Sequence, residues 1–191
     1  QYTYDAAGNM LSMMQPGGIA SYSYNARRQP IEADYRFDDG TMMIESLAYD
    51  PLGRVTASER KGSTEELTRS AAYGYDALGQ LVSCKEGQNT ETYMYDAVGN
   101  RISKAVNGIQ KSTYKYNQMN QLISMMEDGI QYNFVYDRRG NLTEERKGVD
   151  LLRSYTYDAT NRMVFGENLE SGETTEYGYN GLMMRVKNVQ T

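Results

Sequence analysis

Catalysis needs a group that can attack, or that can give up and take a proton, and this chain of 191 residues offers few. It contains no histidine, which removes Ser-His-Asp and Cys-His arrangements and the commonest zinc ligand. Cys84 stands alone, so no internal disulfide forms, nothing activates the thiol, and it reads as a semi-buried strand residue. Asp5, Asp50, Asp76, Asp96, Asp137 and Asp158 recur regularly and could offer oxygens to calcium. Calcium takes about six to eight oxygens, and one carboxylate per turn falls short. Each side chain has backbone amides to satisfy beside it, so turn capping is the favoured reading and no metal is expected. Paired carboxylates for glycoside hydrolysis are left open by sequence, while Glu65-Glu66 and Glu144-Glu145 read as solvated charge. A phosphate loop would need a helix start after a strand, and none is suggested. No cofactor is expected, and an enzyme is the least favoured class.

The regular acids belong to a repeat. Anchor tyrosines stand at Tyr4, Tyr24, Tyr49, Tyr75, Tyr95, Tyr116, Tyr136, Tyr157 and Tyr179, spaced 20 to 26 residues apart. The next residue is always Asp or Asn: Asp5, Asn25, Asp50, Asp76, Asp96, Asn117, Asp137, Asp158, Asn180. Two residues before the anchor stands a second aromatic, except at Leu47, and of eighteen tyrosines only Tyr35 and Tyr132 lie outside the motif. Two aromatics one residue apart share a face of a β-strand but splay on a helix, so the doublet is a strand.

The residues after the doublet read as a turn. Asp or Asn suits the first position of a type I turn, Pro51 fits the second, and Gly8, Gly53, Gly79, Gly99 and Gly140 supply the positive φ that closes a three-residue hairpin loop. Asn120 and Asn161 also fit there, whereas Arg28 and Met183 break the rule, so strain or a different loop is expected in the second and last units. Seven residues past each anchor the chain is again strand-like, with a β-branched residue in eight units of nine. Further turn signals return it: Pro16-Gly17-Gly18, Asp39-Gly40, Lys61-Gly62, Glu86-Gly87, Asn107-Gly108, Asp128-Gly129, Lys147-Gly148 and Ser171-Gly172. The expected fold is all-β: tandem hairpins in one continuous, curled antiparallel sheet, with tyrosines and seventh-position residues on opposite or alternating faces. The hairpin register stays open at this stage.

The array is expected to occupy residues 1–191 as about nine units of a single domain. Inserts around residues 33–46 and 57–72 should make longer hairpins or bulges, and the units from Tyr73 to Phe165 are the most even. Methionine clusters such as Met13-Met14 and Met125-Met126 read as gap-filling in the sheet. The net charge of −5 is mixed and spread along the chain, with no basic block to track phosphates, so nucleic acid is not an expected partner. No apolar run approaches the roughly 20 residues that span a bilayer, and no membrane insertion or signal peptide is read. The chain opens within a unit and stops at Thr191 without a cap, as a segment of a longer protein would.

The pattern Y-x-Y-D-x-x-G-N/R-x-I/V/L, seen in Tyr93 to Ile102 and closely in Tyr73 to Leu81, resembles the YD repeat, also called the Rhs repeat. Such repeats occur in bacterial Rhs polymorphic toxins, wall-associated proteins, insecticidal toxin complexes and animal teneurins. The resemblance implies a spiralling β-shell, enclosing a C-terminal effector in the toxins, and a secreted or cell-surface location. The family's core-terminating segment with its autoproteolytic aspartate is absent, and Asp50-Pro51-Leu52-Gly53 sits in register as an ordinary turn.

Two functions are carried forward. The first is a non-catalytic structural shell segment whose partners are flanking repeats and an enclosed or appended domain, with edge-to-edge pairing of copies where strands are exposed. The second is carbohydrate binding through tyrosine faces, with Tyr73, Tyr75, Tyr93, Tyr95, Tyr114 and Tyr116 as the candidate glycan contacts.

Overall fold

The computed structural model describes residues 1–191 and folds them into eighteen strands of one antiparallel sheet. By internal contacts the chain divides into two units, Gln1–Tyr93 with Val106–Gly108 and Met94–Ala105 with Ile109–Thr191. In the first unit β1 (Tyr2–Tyr4), β2 (Met10–Gln15), β3 (Gly18–Tyr24), β4 (Pro30–Phe37), β5 (Met42–Tyr49), β6 (Val55–Gly62), β7 (Arg69–Tyr75), β8 (Leu81–Glu86) and the start of β9 (Asn89–Tyr95) follow as a meander. The second carries most of β10 (Arg101–Val106), then β11 (Ile109–Tyr116), β12 (Leu122–Glu127), β13 (Ile130–Tyr136), β14 (Leu142–Lys147), β15 (Asp150–Tyr157), β16 (Met163–Asn168), β17 (Glu173–Tyr179) and β18 (Arg185–Gln190). From β11 onward each strand pairs with the next.

The register left open by sequence is set by the turn. Each anchor tyrosine lies opposite the sixth residue after it: Tyr4 faces Met10, Tyr24 faces Pro30, Tyr49 faces Val55 and Tyr116 faces Leu122. The ladder then shifts by one residue. The seventh-position residues, such as Leu11 and Ile123, are the extra residues of this bulge, so they face no tyrosine across the hairpin. The expected segregation of the two sets by simple alternation is therefore replaced by a bulge that adds one residue to the outgoing strand.

The inserts lengthen strands. β4 and β6 have eight residues each, against six in the other strands that leave a clamped turn, such as β2, β8 and β10. One turn signal is displaced: β6 runs through Lys61-Gly62, and the reversal is made by a short 3-10 turn at Glu65–Leu67. Gly62 is needed there for space, because a Cβ would lie 2.1 Å from the Cβ of Leu67.

Arg28 and Met183 do not change the loop. Both keep the hydrogen bond of the glycine units, from their amide to the carbonyl of Asn25 or Asn180, and both sit at φ +62°. The left-handed region costs an ordinary residue about 1–2 kcal/mol, and glycine's extra chain entropy returns roughly 0.5–1 kcal/mol of that. Met183→Gly should therefore stabilise its hairpin by about 0.5–1 kcal/mol, read as a rise in the urea midpoint of the chain; a fall would show that the residue is not strained.

Candidate functional site

Nine turns of one design line one end of the hairpins. In each, the amide of the Asp or Asn donates to the carbonyl four residues on, and the fourth-position amide donates back to the Asp or Asn carbonyl, as in Asp5 to Asn9 at 2.9 Å and Gly8 to Asp5 at 3.1 Å. The side-chain Oδ1 then accepts two further amides, those of the third and fifth positions. Asp5 takes Ala7 and Asn9, Asp50 takes Leu52 and Arg54, Asp76 takes Leu78 and Gln80, Asp96 takes Val98 and Asn100, and Asp137 takes Arg139 and Asn141. Only Asp and Asn put an oxygen at that reach, which is why no other type stands there.

The second side-chain atom selects the fifth residue. Asp offers a second acceptor and in five of the six Asp turns is met by a donor side chain: Asn9 at 2.7 Å, Arg54 at 2.6 Å, Asn100 at 2.9 Å, Asn141 at 2.8 Å and Arg162 at 2.7 Å, the Asp76 turn carrying Gln80 instead. Asn offers a donor and is met by glutamine oxygen, Gln29 at 3.0 Å and Gln121 at 2.7 Å. The fifth residue also reaches the next turn. Glutamine is long enough for a backbone carbonyl, Gln29 to Gly53 at 3.1 Å and Gln121 to Gly140 at 3.2 Å. Asparagine is shorter and meets a side chain instead, Asn100 to Asn120 and Asn141 to Asn161, both at 3.1 Å. Asn120 and Asn161 thus serve twice, by tolerating positive φ and by extending an acceptor toward the preceding turn.

The anchors tie hairpin to hairpin. The hydroxyl of Tyr24 donates to the Met10 carbonyl at 2.9 Å, Tyr49 to Pro30 at 2.7 Å, Tyr75 to Val55 at 2.8 Å, Tyr116 to Arg101 at 3.0 Å, Tyr136 to Leu122 at 3.0 Å and Tyr179 to Met163 at 2.8 Å. Every acceptor is the sixth residue after the preceding anchor, the residue that anchor faces across its own turn. Guanidinium groups cover several rings, Arg54 at 4.7 Å from the Tyr75 centroid, Arg101 at 4.9 Å from Tyr114 and Arg162 at 4.6 Å from Tyr179.

The candidate glycan contacts are all half-buried. In the first unit Tyr73 borders a cleft and Tyr75 carries both the latch to Val55 and the Arg54 guanidinium. In the second, Tyr114 lies under Arg101 and Tyr116 latches to Arg101 carbonyl. Tyr93 donates to Glu91. The structure adds two residues that the motif did not single out for a site, Tyr22 and Tyr35, whose rings meet edge to face at 6.3 Å beside Tyr73 in a cleft of about 520 Å³ on the first unit. The signal available in the sequence was that Tyr35 stands outside the repeat. Elsewhere burial and the Glu145 carboxylate, which accepts from Tyr155 at 2.7 Å, push the Tyr155 phenol up to about 12.

Turns built on one clamp, latched in series down an antiparallel sheet, define a YD-repeat shell protein. The chain belongs to the Teneurin YD-shell family, whose model matches residues 19–134. Among solved structures it is similar to TcdB2-TccC3-Cdc42, with a TM-score of 0.67 at 14% identity over 99% of this chain. It is also similar to TcdB2-TccC3 without the hypervariable C-terminal region, with a TM-score of 0.61 at 18% identity over 99% of this chain. These likenesses show the fold; the chain spans 11% and 12% of the length of those two chains. A search of curated proteins finds no match.

The fifth-position rule is testable in one turn. Gln121→Asn loses its reach to Gly140, and Gly140→Asn brings a Cβ to 3.1 Å from Gln121 Nε2. Each should cost about 0.5–1.5 kcal/mol in urea unfolding. The triple variant Asn117→Asp, Gln121→Asn, Gly140→Asn recreates the set Asp96, Asn100, Asn120 and should return to within about 0.5 kcal/mol of the parent; additive losses would sink the rule. A second test uses pH. The side-chain bonds from Asn9, Asn100, Asn141 and Arg162 hold the carboxyls of Asp5, Asp96, Asp137 and Asp158 below their usual range, and the Arg54 amide does so for Asp50. Folded-state pKa values below the unfolded ones give stability that is present above about pH 4 and lost as pH falls through the folded values. The urea midpoint should hold from neutral pH down to about pH 5 and drop below about pH 4, with a shallower drop in Asp137→Asn.

Proposed function

We propose that this chain is a non-catalytic wall segment of a larger secreted or surface YD-repeat protein, and that the wall encloses or presents another domain of that protein, such as a C-terminal toxin. The observation that carries the reading is the latch: anchor hydroxyls donate to the backbone of the preceding hairpin. A phenol spent in that way holds a wall together and does no chemistry on a substrate. The clamp aspartates are likewise engaged by amides, which leaves them structural. Flanking repeats are the natural neighbours, since the fifth-position side chains and the latches both act between successive units. The similarity in fold to TcdB2-TccC3, together with the YD-shell family model, supports the wall part of this reading.

Enclosure is tested on the full-length protein by limited proteolysis. A domain held inside the wall should survive protease concentrations that digest the same domain expressed alone, and should become sensitive once urea unfolds the repeats. Equal digestion in both forms would reject enclosure. The glycan reading keeps one specific support, the cleft at Tyr73.

A further inference from the structure

The cleft on the first unit arises where the repeats carry small residues. Ladder pairing places Tyr22, Ala33, Glu45, Arg60 and Arg69 in one cross-strand row, and Leu47, Ser58, Ala71 and Glu86 in the next. Residues paired directly across strands share a face, so Ala33, Ser58 and Ala71 form a depressed floor between taller neighbours. Two hairpins of the second unit fill the same repeat positions: the counterparts of Ala71, four residues before the anchor, and of Ser58, nine after it, are the facing pairs Tyr132 with Met125 and Arg153 with Glu145, whereas the pair Thr175 with Gly166 stays small. The hollow is thus set by which side chains occupy these positions and not by the backbone of the repeat.

Its walls have a definite chemistry. Tyr22, Tyr35 and Tyr73 supply three phenol rings, and the Tyr73 hydroxyl lies 3.3 Å from Ser58 Oγ. Arg60 donates through Nε to one carboxylate oxygen of Glu45 at 2.7 Å. Arg69 and Glu86, one of each sign, also line the space. The cleft therefore offers guanidinium donors, carboxylate acceptors and hydroxyls of either kind above an apolar floor, with charge balanced between Arg60 and Arg69 on one side and Glu45 and Glu86 on the other. An anion would meet the two carboxylates, and a cation the two guanidinium groups. A ring with an apolar C–H face and a rim of hydroxyls, each both donor and acceptor, satisfies every group without a net charge.

We propose that this cleft is a binding site for a neutral pyranose saccharide, stacked among Tyr22, Tyr35 and Tyr73 and hydrogen-bonded by Glu45, Arg60 and Ser58. The site rests on the glycan reading at Tyr73 and extends it to residues outside the six tyrosines read from the sequence. It is independent of enclosure, since the wall reading depends on the latches and the site on the hollow.

The test is calorimetric titration of the whole chain with maltotriose, cellotriose and chitotriose, alongside trigalacturonate and trilysine as charged probes. Saturable binding of at least one neutral trisaccharide is expected, with affinity lowered at least tenfold in Ala71→Tyr and in Ser58→Met, which place in the hollow the residue types that the second unit carries at Tyr132 and Met125. Those types are already tolerated on this sheet, and an unchanged urea midpoint confirms that the variants fold. Tyr73→Phe, which keeps the ring and loses the hydroxyl, should weaken binding by several-fold. No heat from any neutral probe at 10-fold above about millimolar concentrations, binding that survives both filling variants, or tighter binding of trigalacturonate or trilysine would each overturn the proposal. Proteolytic protection of an enclosed domain is unaffected by any of these outcomes, so the two readings fail separately.

Discussion

The structure depends on one oxygen per repeat. The Oδ1 of the Asp or Asn after each anchor accepts the amides of the third and fifth positions, and that double acceptance leaves the loop one conformation. The loop forces a residue with positive φ at the fourth position and a bulge after the sixth. The bulge puts the sixth residue opposite the anchor, and its carbonyl is where the next anchor's hydroxyl arrives. Each of these latches, from Tyr24 on Met10 to Tyr179 on Met163, is a consequence of the turn before it. Individually such a bond contributes about 0.5–1.5 kcal/mol. In series they couple each hairpin to its neighbour, the nearest-neighbour logic by which repeat arrays become stable.

That logic matters because the sheet has little interior. Ala20, at 3% exposure, and Ser112, at 2%, are its buried residues, and most tyrosines are half-buried. Cross-strand aromatic contacts are worth about 0.2–1 kcal/mol each, while ordering a residue costs about 1–2 kcal/mol. The side chains that would form a core in a compact domain here lie on the faces of a sheet, and backbone ladders, clamps and latches take over the work of fixing conformation. No helix is long and apolar enough to cross a membrane.

Much of this was legible in the sequence because the informative contacts are local. The doublet, the Asp or Asn and the glycine lie within seven residues, and each carries its own physical reason for being there. The eighteen-strand antiparallel fold and the shared turn follow from them. What escaped is non-local or volumetric. The reversal after β6 moved from Lys61-Gly62 to Glu65–Leu67 because Leu67 packs into the space that Gly62 leaves, a contact invisible to turn statistics. Arg28 and Met183 kept the common loop because four hydrogen bonds outweigh one strained φ. The bulge hid the true place of the seventh-position residues, since period-two counting presumes an unbroken ladder. The pairing of Asp with Asn or Arg, and of Asn with Gln, holds in seven turns of nine, with Gln80 after Asp76 and Met184 after Asn180 outside it, and only the geometry shows which atoms meet.

Regularity and function are opposed in such a chain. Where the repeat is kept, its polar atoms are consumed: clamp oxygens by amides, anchor hydroxyls by carbonyls, fifth-position amides by the next turn, and rings by guanidinium groups. A surface whose groups are already satisfied has little left to recognise a ligand. Recognition therefore has to come from positions that the repeat does not constrain. On the first unit these are Tyr35, outside the motif, and Ala33, Ser58 and Ala71, smaller than several of their counterparts in the second unit. They lie on the eight-residue strands β4 and β6 and on β7, next to the 3-10 turn. The lengthened strands extend the face beyond the clamped turns, and the small residues open it. Small side chains at these positions thus open room beside bonded pairs such as Arg60 with Glu45 and Ser58 with Tyr73, whose spare donors and acceptors face the cleft.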